Sequence, residues 1–194
     1  MVSNGLSDLL SNENTGQGDF PGNGLARLLE DPAKPKAQDP TAPPAGGAAA
    51  GASVSMPPSA SVADFVKNAM PAAQRVAKRL NVPVEAVIGQ WGLETGWGKS
   101  VIPGTNNLGN IKDFRGGGVS AKDNANGKVD KYRQYASVDE FADDFANLLA
   151  NSNYKAVPGT KDAQSYFAAL KAARYAEDPD YVAKGASAAK MVAD

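Results

Sequence analysis

A mainly helical α+β domain with one small hairpin lobe, carried behind a tail that lacks a core, is the fold this sequence predicts. Three observations predict it. Of fourteen aromatic residues only Phe20 precedes residue 60, so the large apolar groups needed for a core fall in residues 61–194. Within that stretch apolar residues recur at helical spacing in five blocks. Between the second and third blocks, residues 109–135 change to glycines and β-formers.

The tail divides in two. Residues 1–30 contain a repeat: Asn4-Gly5-Leu6-Ser7-Asp8-Leu9-Leu10 returns nineteen residues later as Asn23-Gly24-Leu25-Ala26-Arg27-Leu28-Leu29. Each copy sets leucines at i, i+3 and i+4, the stripe of a short helix that is marginal alone and suited to docking in a partner's groove. Residues 31–60 hold seven of the thirteen prolines, with alanine and glycine between them. They read as an extended linker.

The domain then follows in order. Ser61, with Asp64 three residues on, caps a helix whose Val62, Phe65, Val66, Ala69, Ala73, Val76, Ala77 and Leu80 share a face. Asn81-Val82-Pro83 ends it, and Pro83 suits the first turn of a second helix to about Thr95. That second helix holds only Glu85 and Glu94 as charged residues, so it should be largely buried; Gly96 and Gly98 close it. Gly116-Gly117-Gly118, Val119, Val129, Tyr132 and Tyr135 predict a hairpin turning around Asn124 to Gly127. Ser137-Val138-Asp139-Glu140 is a capping box ahead of inward Phe141, Phe145, Leu148 and Leu149. A helix from about Asp162 to Arg174 buries Tyr166, Phe167 and Leu170. Asp178-Pro179 caps a last one carrying Tyr181, Val182, Ala186 and Ala189.

Composition narrows the chemistry. Histidine and cysteine are both absent, which excludes Ser-His-Asp and Cys-His catalysis, thiolate chemistry and imidazole or thiolate metal sites. Acid–base work must fall to carboxylates, lysines or tyrosines. A net charge of −1 provides no basic field for nucleic acid. No window approaches the roughly 18 apolar residues of a membrane span, and Met1 to Asn14 lacks the pattern of a secretory signal. Asp139, Glu140, Asp143 and Asp144 read as the first turn and solvated face of a helix rather than a metal cluster. No cofactor is expected.

Glu94 is the leading catalytic candidate. It lies on the flank of the face formed by Val84, Val87, Ile88 and Trp91, in the last turn of its helix. The negative end of the helix dipole and partial burial beside Trp91 or Trp97 both disfavour its ionised form, as a general acid near neutral pH requires. Around it run Leu93-Glu94-Thr95-Gly96-Trp97-Gly98-Lys99-Ser100, then Asn106-Asn107-Leu108-Gly109-Asn110-Ile111-Lys112, then Lys131-Tyr132-Arg133-Gln134-Tyr135, and Tyr175-Ala176-Glu177-Asp178-Pro179-Asp180-Tyr181. In kind, order and spacing these four motifs resemble the glycoside hydrolase family 73 glucosaminidases. That family includes the hydrolase domain of the flagellar rod-assembly protein and lies within the lysozyme-like superfamily. Its pattern runs L-E-S-G-W-G-x-S, N-N-L-F-G-I-K, a hairpin, F-R-x-Y, a helix, and Y-A-x-D-P-x-Y.

The resemblance implies a two-lobed, lysozyme-like domain that cleaves β-1,4 bonds of peptidoglycan glycan strands, as an endo-β-N-acetylglucosaminidase. It implies Glu94 as general acid and Tyr175 as the tyrosine that helps position substrate. Trp97 and Asn107 match motif residues beside the catalytic helix and join Tyr175 as substrate-binding candidates; Trp97 fits cleft lining or core packing equally, and the Asn106-Asn107 pair suits holding the loop between helix and hairpin better than touching sugar. Many members carry a hairpin glutamate before an E-N-G turn, and Asp123 holds that place here, with Asp130 and Asp113 as alternatives. Such a group could activate water, stabilise an oxocarbenium-like transition state, or assist the substrate's own acetamido group. Cleavage as a muramidase or lytic transglycosylase, and a catalytically weak wall-binding module, are the alternative functions. The repeat, the tether and the missing signal together suggest a phage virion protein. Residues 1–30 would dock on virion or tail proteins, and the hydrolase would open the wall from there; an endolysin made in the cytoplasm is the alternative.

Overall fold

The computed structural model describes residues 59–114, 116–122 and 127–194. The repeat, nearly all of the linker, Asp123 and most of the expected turn lie outside the described residues. What is described is five helices and a two-stranded antiparallel sheet: α1 (Val62–Leu80), α2 (Val84–Thr95), β1 (Val119–Lys122), β2 (Val129–Tyr132), α3 (Val138–Leu149), α4 (Ala163–Ala172) and α5 (Tyr181–Ala193), with a 3₁₀ turn at Ser152–Tyr154. This is the mainly helical fold with a small hairpin that the sequence predicts.

The helix starts follow the caps. Ser61 Oγ accepts the amide of Asp64 at 3.1 Å and donates to its carboxylate at 2.8 Å. Ser137 Oγ accepts from Glu140 N–H at 3.1 Å, while the Glu140 carboxylate reaches back to the amide of Ala136 at 2.6 Å. At α4, Asp162 takes the Ser165 amide at 2.7 Å, and that bond holds its carboxyl below the usual range. Two starts differ from expectation. Pro83 stands at the cap position of α2, one residue earlier than its first turn. The cap of α5 is Asp180; Asp178 closes the turn before it, accepting from Asp180 N–H at 2.9 Å and binding Lys184 at 2.6 Å.

Charge-poor α2 is the central element, as its sequence requires. It packs against α1, α4 and α5, and Ala86 through Gly92 are buried. Trp91 meets Phe141 and Phe145 of α3 edge-on, with ring centroids 5.1 and 5.6 Å away. Burying one such side chain contributes about 1.5–3 kcal/mol, so this junction is the main tie between α2 and α3. Against α5 the approach is closer than side chains permit: a Cβ on Gly89 would stand 2.8 Å from the backbone nitrogen of Ala189. Gly185 likewise lies under the Phe167 ring. The buried face of α5 is therefore Tyr181, Gly185, Ala188 and Ala189. Val182 and Ala186, expected inward, are only half-buried, because α5 turns its smallest residues to its neighbours.

The hairpin pairs Val119 with Tyr132 and Lys122 with Val129. A third extended segment joins on the other side of β2, where Lys112 bridges Tyr132, Arg133 N–H donates to Ile111 O at 2.9 Å, and Asp113 N–H to Lys131 O at 2.7 Å. The segment that follows α2 thus carries straight into the hairpin lobe.

Candidate active site

Glu94 occupies the last turn of α2, and the chain beyond it is bent sharply to leave it there. Gly96 and Trp97 both adopt left-handed backbone, with φ of 56° and 57°. The first is easy for glycine; the second costs a tryptophan about 1 kcal/mol or more and so needs a compensating contact. Trp97 supplies it by laying its ring on Gly92, where a Cβ would come within 2.6 Å, and by meeting Phe65 edge-on at 5.9 Å. Thr95 Oγ1 donates to Trp91 O at 2.7 Å and accepts from Gly98 N–H at 3.0 Å, closing the turn. The Glu94 carbonyl, left without a helical partner at the helix end, accepts from the side-chain amide of Asn110.

The Glu94 side chain is half-buried. Protein crowds it closely enough that burial pushes its pKa from 4.5 up to about 8, while part of its surface stays open. Burial, one of the two causes named from the sequence, raises it. Among the described residues no hydrogen bond or ion pair engages the carboxyl. At neutral pH it holds a proton and can give it away.

Tyrosines close in behind it. Tyr175 and Tyr181 stack at 6.2 Å, and Tyr154 meets Tyr175 edge-on at 6.0 Å. All three are at least 95 % buried, and none of their hydroxyls has a hydrogen-bond partner among the described residues. Burial first, and then the charge of nearby Glu94, raise the Tyr175 and Tyr181 phenols well above their usual range. Tyr154 is pushed up to about 12 by burial. Tyr166 differs from them in spending its hydroxyl on Gln90, 2.5 Å away.

Of the other candidates, Tyr175 is the one whose titration responds to the charge of Glu94. Tyr175 is 1 % exposed, so in this conformation it faces Glu94 and its fellow tyrosines and offers no cleft surface. Asn107 takes the loop-holding role expected of the asparagine pair: it is wholly buried, donates to Ile111 O at 2.9 Å and Arg133 O at 3.0 Å, and accepts from Ile111 N–H at 2.9 Å. An amide so spent holds the loop and cannot reach a sugar. Trp97 is half-buried in the packing position just described. Asp123 lies outside the described residues. Asp130, on β2, binds the buried ammonium of Lys112 at 2.6 Å. Asp113 follows Lys112, and neighbours in extended chain point to opposite faces. It lines a separate pocket of about 350 Å³ with Gly117, Gly118, Arg133, Glu140 and Asp144.

Sequence reasoning missed two features. Asp144, read as solvated, accepts from Arg133 and from Tyr135 O–H, both at 2.6 Å, and clamps the hairpin exit to α3. Tyr181, read only as a core residue, has its phenol raised by burial and then by the charge of Glu94; its place in the same motif as Tyr175 was the available signal. Among the described residues no group of three carboxylates is placed to hold a metal, and no helix is long and apolar enough to cross a membrane.

A protein-family model described as glucosaminidase, mannosyl-glycoprotein endo-beta-N-acetylglucosaminidase, matches residues 70–193. The chain belongs to this glucosaminidase family. Among curated relatives of this family member is the peptidoglycan hydrolase FlgJ of Pseudomonas aeruginosa, 32 % identical over 149 residues, which span 69 % of this chain and 37 % of that protein. FlgJ of Vibrio cholerae is 33 % identical over 135 residues, 62 % of this chain and 40 % of that one. The chain thus matches less than half the length of these relatives. Among solved structures, a peptidoglycan hydrolase from Sphingomonas sp. A1 superposes with a TM-score of 0.61 at 36 % identity, covering 66 % of this chain and 87 % of that one. The glycoside hydrolase domain of Salmonella typhimurium FlgJ gives 0.58 at 27 % identity, covering 69 % and 89 %. This glucosaminidase-family domain therefore has the fold of a glycoside hydrolase.

Proposed function

We propose that residues 61–194 hydrolyse β-1,4 glycosidic bonds of peptidoglycan glycan strands as an endo-β-N-acetylglucosaminidase, with Glu94 as general acid. The observation that carries this reading is the state of Glu94: half-buried, without an ionic partner among the described residues, and raised to about 8. A carboxylic acid that keeps its proton at neutral pH can pass it to the glycosidic oxygen as the bond to C1 breaks. Positive charge then builds at C1, where a second carboxylate or the substrate's acetamido group answers it. The substrate is supported by the relatives, whose names describe peptidoglycan hydrolases.

For the second carboxylate the choice is Asp123, on the ground of its place before Asn126-Gly127. The Lys112 pairing of Asp130 argues for a structural duty there. It also favours, as a second reading, a lytic transglycosylase, which works with a single catalytic glutamate. Glu94→Gln is expected to abolish clearing of peptidoglycan gels; clearing at the wild-type rate overturns the assignment. Mass spectrometry of the fragments decides the bond. A reducing-end GlcNAc supports the proposal, a reducing-end MurNAc indicates a muramidase, and an anhydro-MurNAc end indicates the transglycosylase.

Delivery is proposed from the paired Asn-Gly-Leu repeats and the linker: residues 1–30 dock the protein in a virion, and the tether lets the domain reach the wall. Deleting residues 1–30 should abolish incorporation into particles and spare the activity of the remainder. Normal incorporation would count against the docking role.

A further inference from the structure

Gln90 is a polar side chain in the apolar middle of α2, wholly buried among Val87, Ile88 and Trp91. One end of its amide is accounted for. Tyr166 of α4 donates its hydroxyl to Gln90 Oε1 at 2.5 Å, which fixes the amide and turns Nε2 the other way. Among the described residues Nε2 has no partner. Leaving a buried N–H unpaired is costly, and an apolar pair in place of Gln90 and Tyr166 would avoid that cost, so the donor needs a reason. The helix itself sets which group stands nearest. Glu94 follows four residues on, one turn along the same face of α2, where Cβ atoms are about 5–6 Å apart. Helical side chains lean toward the N-terminus, so that of Glu94 lies back over the turn carrying Gln90. Among the described residues the Glu94 carboxyl has no hydrogen bond either. On one face of α2, then, a buried donor without an acceptor precedes an acceptor without a donor. Trp91 Nε1 is also buried without a partner, but its ring is committed to packing on Phe141 and Phe145 of α3.

We propose that Gln90 is a positioning residue for Glu94: its Nε2–H, aimed by the Tyr166 hydroxyl, donates a hydrogen bond to the Glu94 carboxylate as the acid gives up its proton. This rests on the reading of Glu94 as general acid. The proton balance is simple. Glu94 O–H protonates the glycosidic oxygen, which takes the electron pair of the broken C1–O bond, and Gln90 keeps both of its protons. The bond strengthens only as charge develops on Glu94, so it lowers the barrier without tightening substrate binding. A neutral donor suits this task. A lysine in its place would hold the acid ionised from the start and leave it no proton to give.

Gln90→Met in the full chain removes the donor with little change of length. It also strands the Tyr166 hydroxyl, so the double variant Gln90→Met/Tyr166→Phe is measured beside it. With both polar partners made apolar, the thermal stability of the double variant should return to near wild type. Kinetics on defined glycan-strand fragments should show kcat falling about ten- to hundredfold in both, the worth of one bond to a charged group, with KM within about twofold. The basic limb of both kcat–pH profiles should move to higher pH, because the ionised acid has lost a donor. Glu94 is the group that such a shift reports. Tyr154, Tyr166, Tyr175 and Tyr181 are the other titratable groups buried around α2, and burial raises every one of these phenols out of the neutral range. The charged side chains of α1, α3, α4 and α5 are exposed, apart from Asp144 and Lys171, which are paired; Lys112, after α2, is bound to Asp130. Wild-type kcat in the double variant, or a loss without the shift in pH profile, would mean that Gln90 serves Tyr166 alone. Either result overturns the inference while an inactive Glu94→Gln leaves the acid in place. An active Glu94→Gln overturns both.

Discussion

The side-chain amide of Asn110 donates to the backbone carbonyl of Glu94, tying the loop that leads into the hairpin to the last turn of α2. Asn110 itself sits in left-handed backbone, with φ of 47°. In the motif that this segment resembles, N-N-L-F-G-I-K, that position is glycine, the residue for which this conformation is free of strain. Asparagine tolerates the same conformation and adds a hydrogen bond that glycine lacks.

Two substitutions separate these contributions. Asn110→Gly keeps the backbone and loses the bond, and is expected to cost about 1 kcal/mol. Asn110→Ala loses the bond and also strains the backbone, for a total of about 2–3 kcal/mol. Denaturant unfolding of both measures the difference, and equal stabilities would show that the left-handed backbone is unstrained for alanine.

The burial of Glu94 makes the domain's stability depend on pH in a defined direction. Its carboxyl titrates near 4.5 when unfolded and near 8 when folded, so between those values the folded state holds a proton the unfolded state has released. The associated stability is complete below about pH 4.5, falls as pH rises through that window, and is flat above about 8. Glu94→Gln removes this contribution. Calorimetry from pH 4 to 9 should show the variant gaining on wild type as pH rises; parallel curves would mean that the acid is not buried in solution.

Gly185 gives a packing prediction. A Cβ there would fall 2.2 Å from a carbon of the Phe167 ring, which is wholly buried. Gly185→Ala gains about 1 kcal/mol of helix propensity, but overpacking at such a distance should outweigh it, leaving a net loss of about 1–3 kcal/mol. A rise in melting temperature would mean that Phe167 can move aside.

Asn107 separates structure from substrate contact. Asn107→Ala strips three hydrogen bonds from a buried loop and should cost about 3 kcal/mol or more. Below its melting temperature the variant should keep KM within about twofold, since the amide faces backbone only. A tenfold rise in KM without a loss of stability would restore it to the substrate site.

Much of this architecture could be read from local chemistry. Ser61, Ser137 and Asp162 announce their helices because a cap satisfies donors within the next three residues. The burial of α2 follows from its lack of charge. Glu94 drew notice as an acid in that charge-poor helix, and the motifs around it made it the leading candidate. What escaped depends on partners distant in sequence. Nothing local to Lys112 tells that it lies buried against Asp130, eighteen residues away across a sheet. Nothing local to Tyr181 tells that its hydroxyl has no partner among the described residues, for that is a property of what packs around it. Trp97 was undecided between cleft and core because its left-handed backbone, which swings the ring onto Gly92, has no sequence signature in a tryptophan.

The backbone-to-backbone seating of Ala189 on Gly89 has a consequence for the order of manufacture. The helix bearing Glu94 is made early in the domain, yet the surface that seats it, residues 181–193, comes from the ribosome about a hundred residues later. Until then α2 has one flank bare. A nascent chain that stalls or is clipped before residue 189 would carry the Glu94 motif on a helix that nothing yet seats. The motif is finished long before its support is.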